Sequence, residues 1–97
     1  MMAKRWKEIE TEVCRLFGGR RAGPTGREGA DCIGTGIFSV QVKHLARVSK
    51  TIVAALEQAE ADAPGDTLPV AVVHKKRSGI GESLVVIRLS SFREWYL

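Results

Sequence analysis

The sequence predicts an α/β domain, a small mixed β-sheet flanked by helices, on three observations. Apolar residues recur at i, i+3 and i+4 spacing over residues 4–17, at Trp6, Ile9, Val13, Leu16 and Phe17, the pattern of a helix with one buried stripe. A second stretch of helical spacing follows Ser49. Between and after these two lie short runs rich in Val and Ile, bounded by Gly and Pro, that read as strands. At 97 residues the chain has room for one domain, 1–97, around one modest core. A chain of this size buries only ~60–65% of the surface its unfolded form exposes, so either the core is compact or a second subunit covers an apolar face.

Each element has a local reason. Gly18-Gly19 stops the first helix. Residues 18–29 hold five of the ten glycines together with Pro24 and Thr25, a loop interrupted by a short strand at Arg20-Arg21-Ala22. Residues 30–33 read as a short strand, Gly34-Thr35-Gly36 as a turn, and 37–44 as the longer strand paired antiparallel with it. Ser49 N-caps a helix to about residue 61, with Ile52, Ala55, Leu56 and Ala59 inward, and Ala63-Pro64-Gly65-Asp66 ends it. Residues 68–74 read as a strand buried on both sides, 75–82 as a basic turn and 83–89 as the last strand. The closing SSFREWYL reads as a short helix capped by Ser90 or Ser91.

Composition narrows the function classes. Hydrophobic residues at 44% and charged residues at 27% exclude a disordered, collagen-like or coiled-coil chain. No apolar run approaches the ~20 residues that span a bilayer. The opening MMAKRWKEIE is charged at once and develops no secretory apolar segment, so the expected location is the cytoplasm. Cys14 and Cys32 are too few for a zinc site, and in a reducing compartment both read as small buried hydrophobes, not as a disulfide. The net charge of +4 is segregated: Arg15, Arg20, Arg21 and Arg27 fall in a stretch without acids, and His74-Lys75-Lys76-Arg77 forms a second basic cluster. Two such clusters beside Gly-rich loops point to a polyanion, by default nucleic acid. The glycines at 18–29 lack the GxxxxGK spacing of a nucleotide-binding loop.

The chemistry-bearing residues meet on the predicted hairpin. Alternation along GIFSVQVKH puts Ile37, Ser39, Gln41 and Lys43 on one face and Phe38, Val40 and Val42 on the other. Asp31, ten residues before Gln41, would reach the same face from the neighbouring strand. A carboxylate, an amide oxygen and an amine then converge, the hard oxygen donors and the cation that Mg2+-assisted phosphodiester hydrolysis needs.

Asp31, a nine-residue spacer, then Gln41-Val42-Lys43 resembles the signature of the PD-(D/E)XK nuclease superfamily. The resemblance spans nearly the whole chain: WKEIETEVCRLFGGRR, a Gly-rich segment ending in GAD, FSVQVKH, a helix with Gln58-Ala59, and PVAVVHKK are similar to the small phage-type members related to Holliday junction resolvases. It implies a restriction-endonuclease-like fold and a metal-dependent endodeoxyribonuclease that resolves four-way junctions or other branched DNA as a homodimer. A phage-encoded member would act in the host cytoplasm. It also implies that Glu10, Asp31, Gln41 and Val42 contact Mg2+ or Mn2+, and that Glu10, Asp31, Gln41 and Lys43 carry catalysis. Glu10 takes its role from the match to the Leu16-Phe17-Gly18-Gly19 helix end. At 100° per residue Glu10 falls about 70° from the centre of the apolar stripe, Glu12 about 90° off on the other side as the second choice, and Glu8 faces away. Arg20, Arg21, Arg27, His44, Lys75, Lys76 and Arg77 are the expected DNA contacts. The family pattern more often has Glu where this chain has Gln41, and an amide removes one negative charge while its oxygen can still ligate. The alternative is a protein that keeps the nuclease fold and binds DNA without cutting it.

Overall fold

A computed structural model describes residues 5–23 and 30–97. The chain divides into two compact units, Met1–Leu45 and Ala46–Leu97. The structure is mixed α/β, and among the described residues it holds two separate antiparallel sheets of two strands each where the sequence predicts one mixed sheet. No helix among the described residues is long and apolar enough to cross a membrane.

The first unit contains α1 (Trp6–Leu16), β1 (Arg20–Arg21) and β2 (Cys32–Ile33). Helix α1 stops where the two glycines predict. The Gly19 amide donates to the Cys14 carbonyl and the Gly18 amide to the Arg15 carbonyl, with Gly18 at φ 84, a paired closure that uses up carbonyls orphaned at the helix end. Gly19 has a second reason to lack a side chain: a Cβ there would fall on the Ile33 carbonyl oxygen. Close approach of β1 to β2 therefore depends on it.

Strand β2 pairs with β1, Arg20 opposite Ile33 and Arg21 opposite Cys32. This corrects the predicted hairpin of 30–33 with 37–44, since residues 37–44 carry no strand. The reason lies at Asp31, whose amide donates to the Val40 carbonyl (2.8 Å) while its carbonyl accepts from the Ala22 amide (2.9 Å). In a strand, the N–H and C=O of one residue point to the same neighbour. Asp31 serves two neighbours, so the chain bends there and the ladder to 37–44 stops after one bond. The alternation survives nonetheless: Ile37, Ser39, Gln41 and Lys43 are exposed, Val40 is buried, and Phe38 and Val42 are half-buried.

The core of this unit is Cys14, Cys32 and Val40, with Val13, Phe17, Phe38 and Val42 packed on it. Phe17 meets Phe38 edge-to-face at 5.4 Å between ring centres. Cys14 and Cys32 are joined in a disulfide, which corrects the expectation of two separate thiols. Both are buried, and packing α1 on β2 brings their Cα atoms to 5.3 Å, within bridging range.

The second unit contains α2 (Lys50–Asp62), β3 (Ala71–Val73), β4 (Leu84–Val86) and α3 (Leu89–Tyr96). Ser49 caps α2 as predicted, its hydroxyl accepting from the Ile52 amide. Strand β3 pairs antiparallel with β4, and α2 packs on β3 through a face where Leu56 and Ala71 are buried. Val72 and Val85, directly opposed, are 63% and 66% exposed, so β3 is covered on one side and not on both. A two-stranded sheet with one helix on it has only one inner face. Helix α3 starts from Arg88 with no side-chain cap, ahead of Ser90 and Ser91, because the turn into helical backbone comes at Leu89 and leaves both serines inside the first turn. Arg88 forks onto Glu60 at 3.1 and 3.2 Å, and that hydrogen bond, then the charge, holds its guanidinium above its ordinary pKa.

The bridge closes an 18-residue separation, so removing it should cost about 3 kcal/mol by loop-closure entropy. Urea unfolding with and without reductant measures this, and alkylation under denaturing conditions without reductant should label neither cysteine. Gly19→Ala should destabilise by roughly 1–3 kcal/mol through overpacking. Gly79→Ala, where a Cβ meets nothing within 4 Å, should have little effect in the same thermal melts.

Candidate functional site

Trp6, Glu10 and Cys14 succeed one another at i, i+4 spacing and share a face of α1. Opposite that face, Arg21 and Cys32 are directly paired across β1 and β2. Two rungs therefore join helix and ribbon: the covalent Cys14–Cys32 bond and, one helical turn earlier, an ion pair between Arg21 Nε and Glu10 Oε1 at 3.3 Å. The Arg21 guanidinium also lies over the Trp6 ring, 5.1 Å from its centre. Glu10 is buried while Glu8 and Glu12 are exposed, so of the three helical carboxylates Glu10 borders the core.

The second locus is the bend at Asp31. Its carbonyl is taken by β1, and its side chain supplies the missing ladder acceptor: Oδ2 accepts from the Val42 amide at 2.7 Å. This is a charge-assisted bond, short for an N–H donor. It fixes the carboxylate on the peptide that links Gln41 to Val42. Gln41 and Lys43 flank Val42 and are exposed, as are Ser39 and His44. The Asp31 Oδ1 is not used by this bond.

The structure thus brings Asp31 to Val42, with Gln41 and Lys43 on either side, and brings Glu10 to Arg21. The disulfide links the two places, since Cys14 is one turn beyond Glu10 and Cys32 adjoins Asp31. Among the described residues, no group of three or more His, Cys, Asp and Glu side chains stands ready to hold a metal ion. Any ion at Asp31 would also draw on amide or main-chain oxygen.

The predicted DNA contacts differ among themselves. Arg20 is exposed on β1, whereas the Arg21 side chain is only 18% exposed and turned to Glu10. Arg27 lies outside the described residues. Lys75, Lys76 and Arg77 are exposed in the β3–β4 connection of the second unit. That connection is shaped by a bond between His74 Nε2 and the Ser78 carbonyl and by Arg77 at φ 68. Gln58 faces solvent and donates to Asp62 on its own helix. Sequence reasoning missed Trp6 as the platform for Arg21, although its position one turn before Glu10 was the available signal.

No family model, curated protein or solved structure matches the chain.

Asp31→Ala should strip the Val42 amide of its acceptor, speed its hydrogen exchange and destabilise the unit by about 1–3 kcal/mol. Asp31→Asn keeps an oxygen acceptor and should retain most of that protection, so comparing the two variants separates the carboxylate's structural bond from its charge.

Proposed function

We propose that the chain is a divalent-metal-dependent DNA endonuclease of restriction-endonuclease-like fold, acting as a homodimer on four-way junctions or other branched DNA. The observation that supports this best is the Asp31 carboxylate held on the main chain of Val42 while Gln41 and Lys43 stand exposed on either side. Preorganisation of a carboxylate beside an amide and an amine suits phosphoryl chemistry better than a binding surface, which needs no such fixed acid.

The donor set fits a hard cation. Asp31, the Gln41 amide oxygen and the Val42 main chain offer oxygen only, which matches Mg2+ or Mn2+ and not a thiolate-seeking metal, while Glu10 faces Arg21. When bound there, such an ion supplies charge neutralisation at phosphate and activation of water. The chain's own residues do the rest. Asp31 is oriented by the Val42 amide, so its charge is directed before substrate arrives. Lys43 offers an ammonium at the charge that grows on phosphate oxygens in the transition state. Arg20, His44, Lys75, Lys76 and Arg77 are exposed cations or donors suited to the DNA backbone, which carries affinity without sequence preference.

A second reading is a DNA-binding protein of the same fold that does not cut. Two observations favour it: an amide at Gln41 and the Glu10 carboxylate already facing Arg21.

Incubation with a four-way junction, a nicked duplex and a linear duplex, each with Mg2+ or Mn2+, distinguishes these readings. Cleavage of the junction is expected. Lys43→Ala should lower the cleavage rate by roughly 10²-fold or more and leave junction affinity nearly unchanged, because its ammonium acts on the transition state. Absence of cutting on all three substrates by the wild type, with activity gained in Gln41→Glu, would instead support the binding protein. Neutralising Lys75, Lys76 and Arg77 together should weaken junction binding and flatten its dependence on salt.

A further inference from the structure

The β3–β4 ribbon has one covered face and one bare one. Its register sets Ala71 opposite Val86 on the side where α2 packs, and Val72 opposite Val85 on the other. Val70, two residues before Val72, continues that outer stripe. These three β-branched residues are between 42% and 66% exposed, and the stripe positions 70, 72, 85 and 87 hold no charge. A two-stranded ribbon is marginal in water, so a bare apolar face on one gains by being covered. The two ends of the ribbon differ in charge. Lys75, Lys76 and Arg77 are exposed in the β3–β4 connection. At the opposite end, where the chain enters β3 and leaves β4 for α3, Asp66, Thr67, Pro69, Ser91, Glu94 and Trp95 line a hollow of about 360 Å³. Among the described residues neither Asp66 nor Glu94 is engaged in an ion pair, and Trp95 is half exposed, so the hollow offers carboxylates and an aromatic ring to a cation.

A partner that fits this surface carries apolar side chains at its centre, acid at one end and base at the other. The chain itself has that pattern. We propose that a second copy of it covers the bare face, its ribbon stacked antiparallel about a twofold axis that runs between the two sheets, across the strands, at the level of Val72 and Val85. That axis exchanges positions equally far before and after Val72, so Lys76 of one protomer comes level with Leu68 of its partner, between Thr67 and Pro69 of the hollow. Valine then meets valine, and each basic turn meets an acidic hollow, twice by symmetry. Parallel stacking, about an axis along the strands, would set base over base and acid over acid, which costs affinity. A polyanion would gain at the turn alone and be repelled at the hollow. The proposal rests on the nuclease reading only for its homodimer; metal and cleavage play no part in it. It places Lys75, Lys76 and Arg77 at the interface, so weaker junction binding after neutralising them would accompany loss of the dimer.

Sedimentation equilibrium of the full chain, without DNA or metal, measures the dimer directly. Wild type should dimerise with rising concentration. Val72→Lys and Val85→Lys should each weaken the dimer about tenfold or more, by burying an unpaired charge, and should melt close to wild type at dilutions where wild type is monomeric. Lys75→Glu combined with Lys76→Glu should weaken self-association to a similar degree, as should Glu94→Lys. Mixing these two variants should restore a dimer, because each offers the charge that the other's end lacks. A wild type that stays monomeric at every concentration overturns the proposal, and a steep loss of melting temperature in Val72→Lys would then show that the chain covers this face itself. A dimer that survives both valine substitutions, or a mixture that recovers nothing, also overturns it, since the copies then meet elsewhere; junction cleavage by that dimer would leave the nuclease reading standing. If the dimer dissociates as expected but no branched DNA is cut, the surface holds and the nuclease reading fails.

Discussion

The first unit depends on the way one residue divides its hydrogen bonds. Asp31 gives its amide to Val40, its carbonyl to Ala22 and its carboxylate to Val42. Those three bonds tie β1, β2 and the segment carrying Gln41 and Lys43 into one arrangement although no three-stranded ladder forms. A side chain other than Asp or Asn at this position could not replace the lost ladder acceptor at the same reach. The carboxylate that a nuclease site would use is thus also a structural acceptor, which explains its fixed orientation without any bound cation.

Around that bend, two rungs of different kinds attach α1. The Cys14–Cys32 bond is covalent and lies in the core. The Glu10–Arg21 pair, one turn away, is electrostatic and unaligned. The first sets the distance between helix and ribbon. The second balances charge within that frame. A small core explains this division: among the described residues, three buried ones and four half-buried ones leave little apolar area to hold a helix in place, and a crosslink compensates.

Much of the local structure was legible in the sequence. The first helix ends at its two glycines because Gly18 can take φ 84, and α2 begins after Ser49 because a hydroxyl can accept from the Ile52 amide. The in–out alternation over 37–44 holds even though the strand does not, since burial of Val40 depends on local backbone extension and not on a ladder. Glu10 was distinguishable from Glu8 by its angle on the helix. The expected approach of Asp31 to the face of Gln41 and Lys43 rested on a hairpin that does not form; its carboxylate instead accepts from the Val42 amide.

What the sequence by itself determined about this protein is the three helices, the short strands at β1 to β4 and their order, though not the absence of a strand over 37–44 or the one-sided cover of β3, because helix caps, glycine turns and apolar periodicity act over a few residues. The tertiary structure alone decided which strand pairs with which, that Cys14 meets Cys32, and that Arg21 turns to Glu10 while Arg20 faces solvent. Each of those outcomes joins residues eleven to eighteen positions or more apart, or depends on which face of a two-residue strand is turned to the helix, and no short-range signal encodes that choice. Pairing, crosslinking and charge balance are settled only when packing sets the distances.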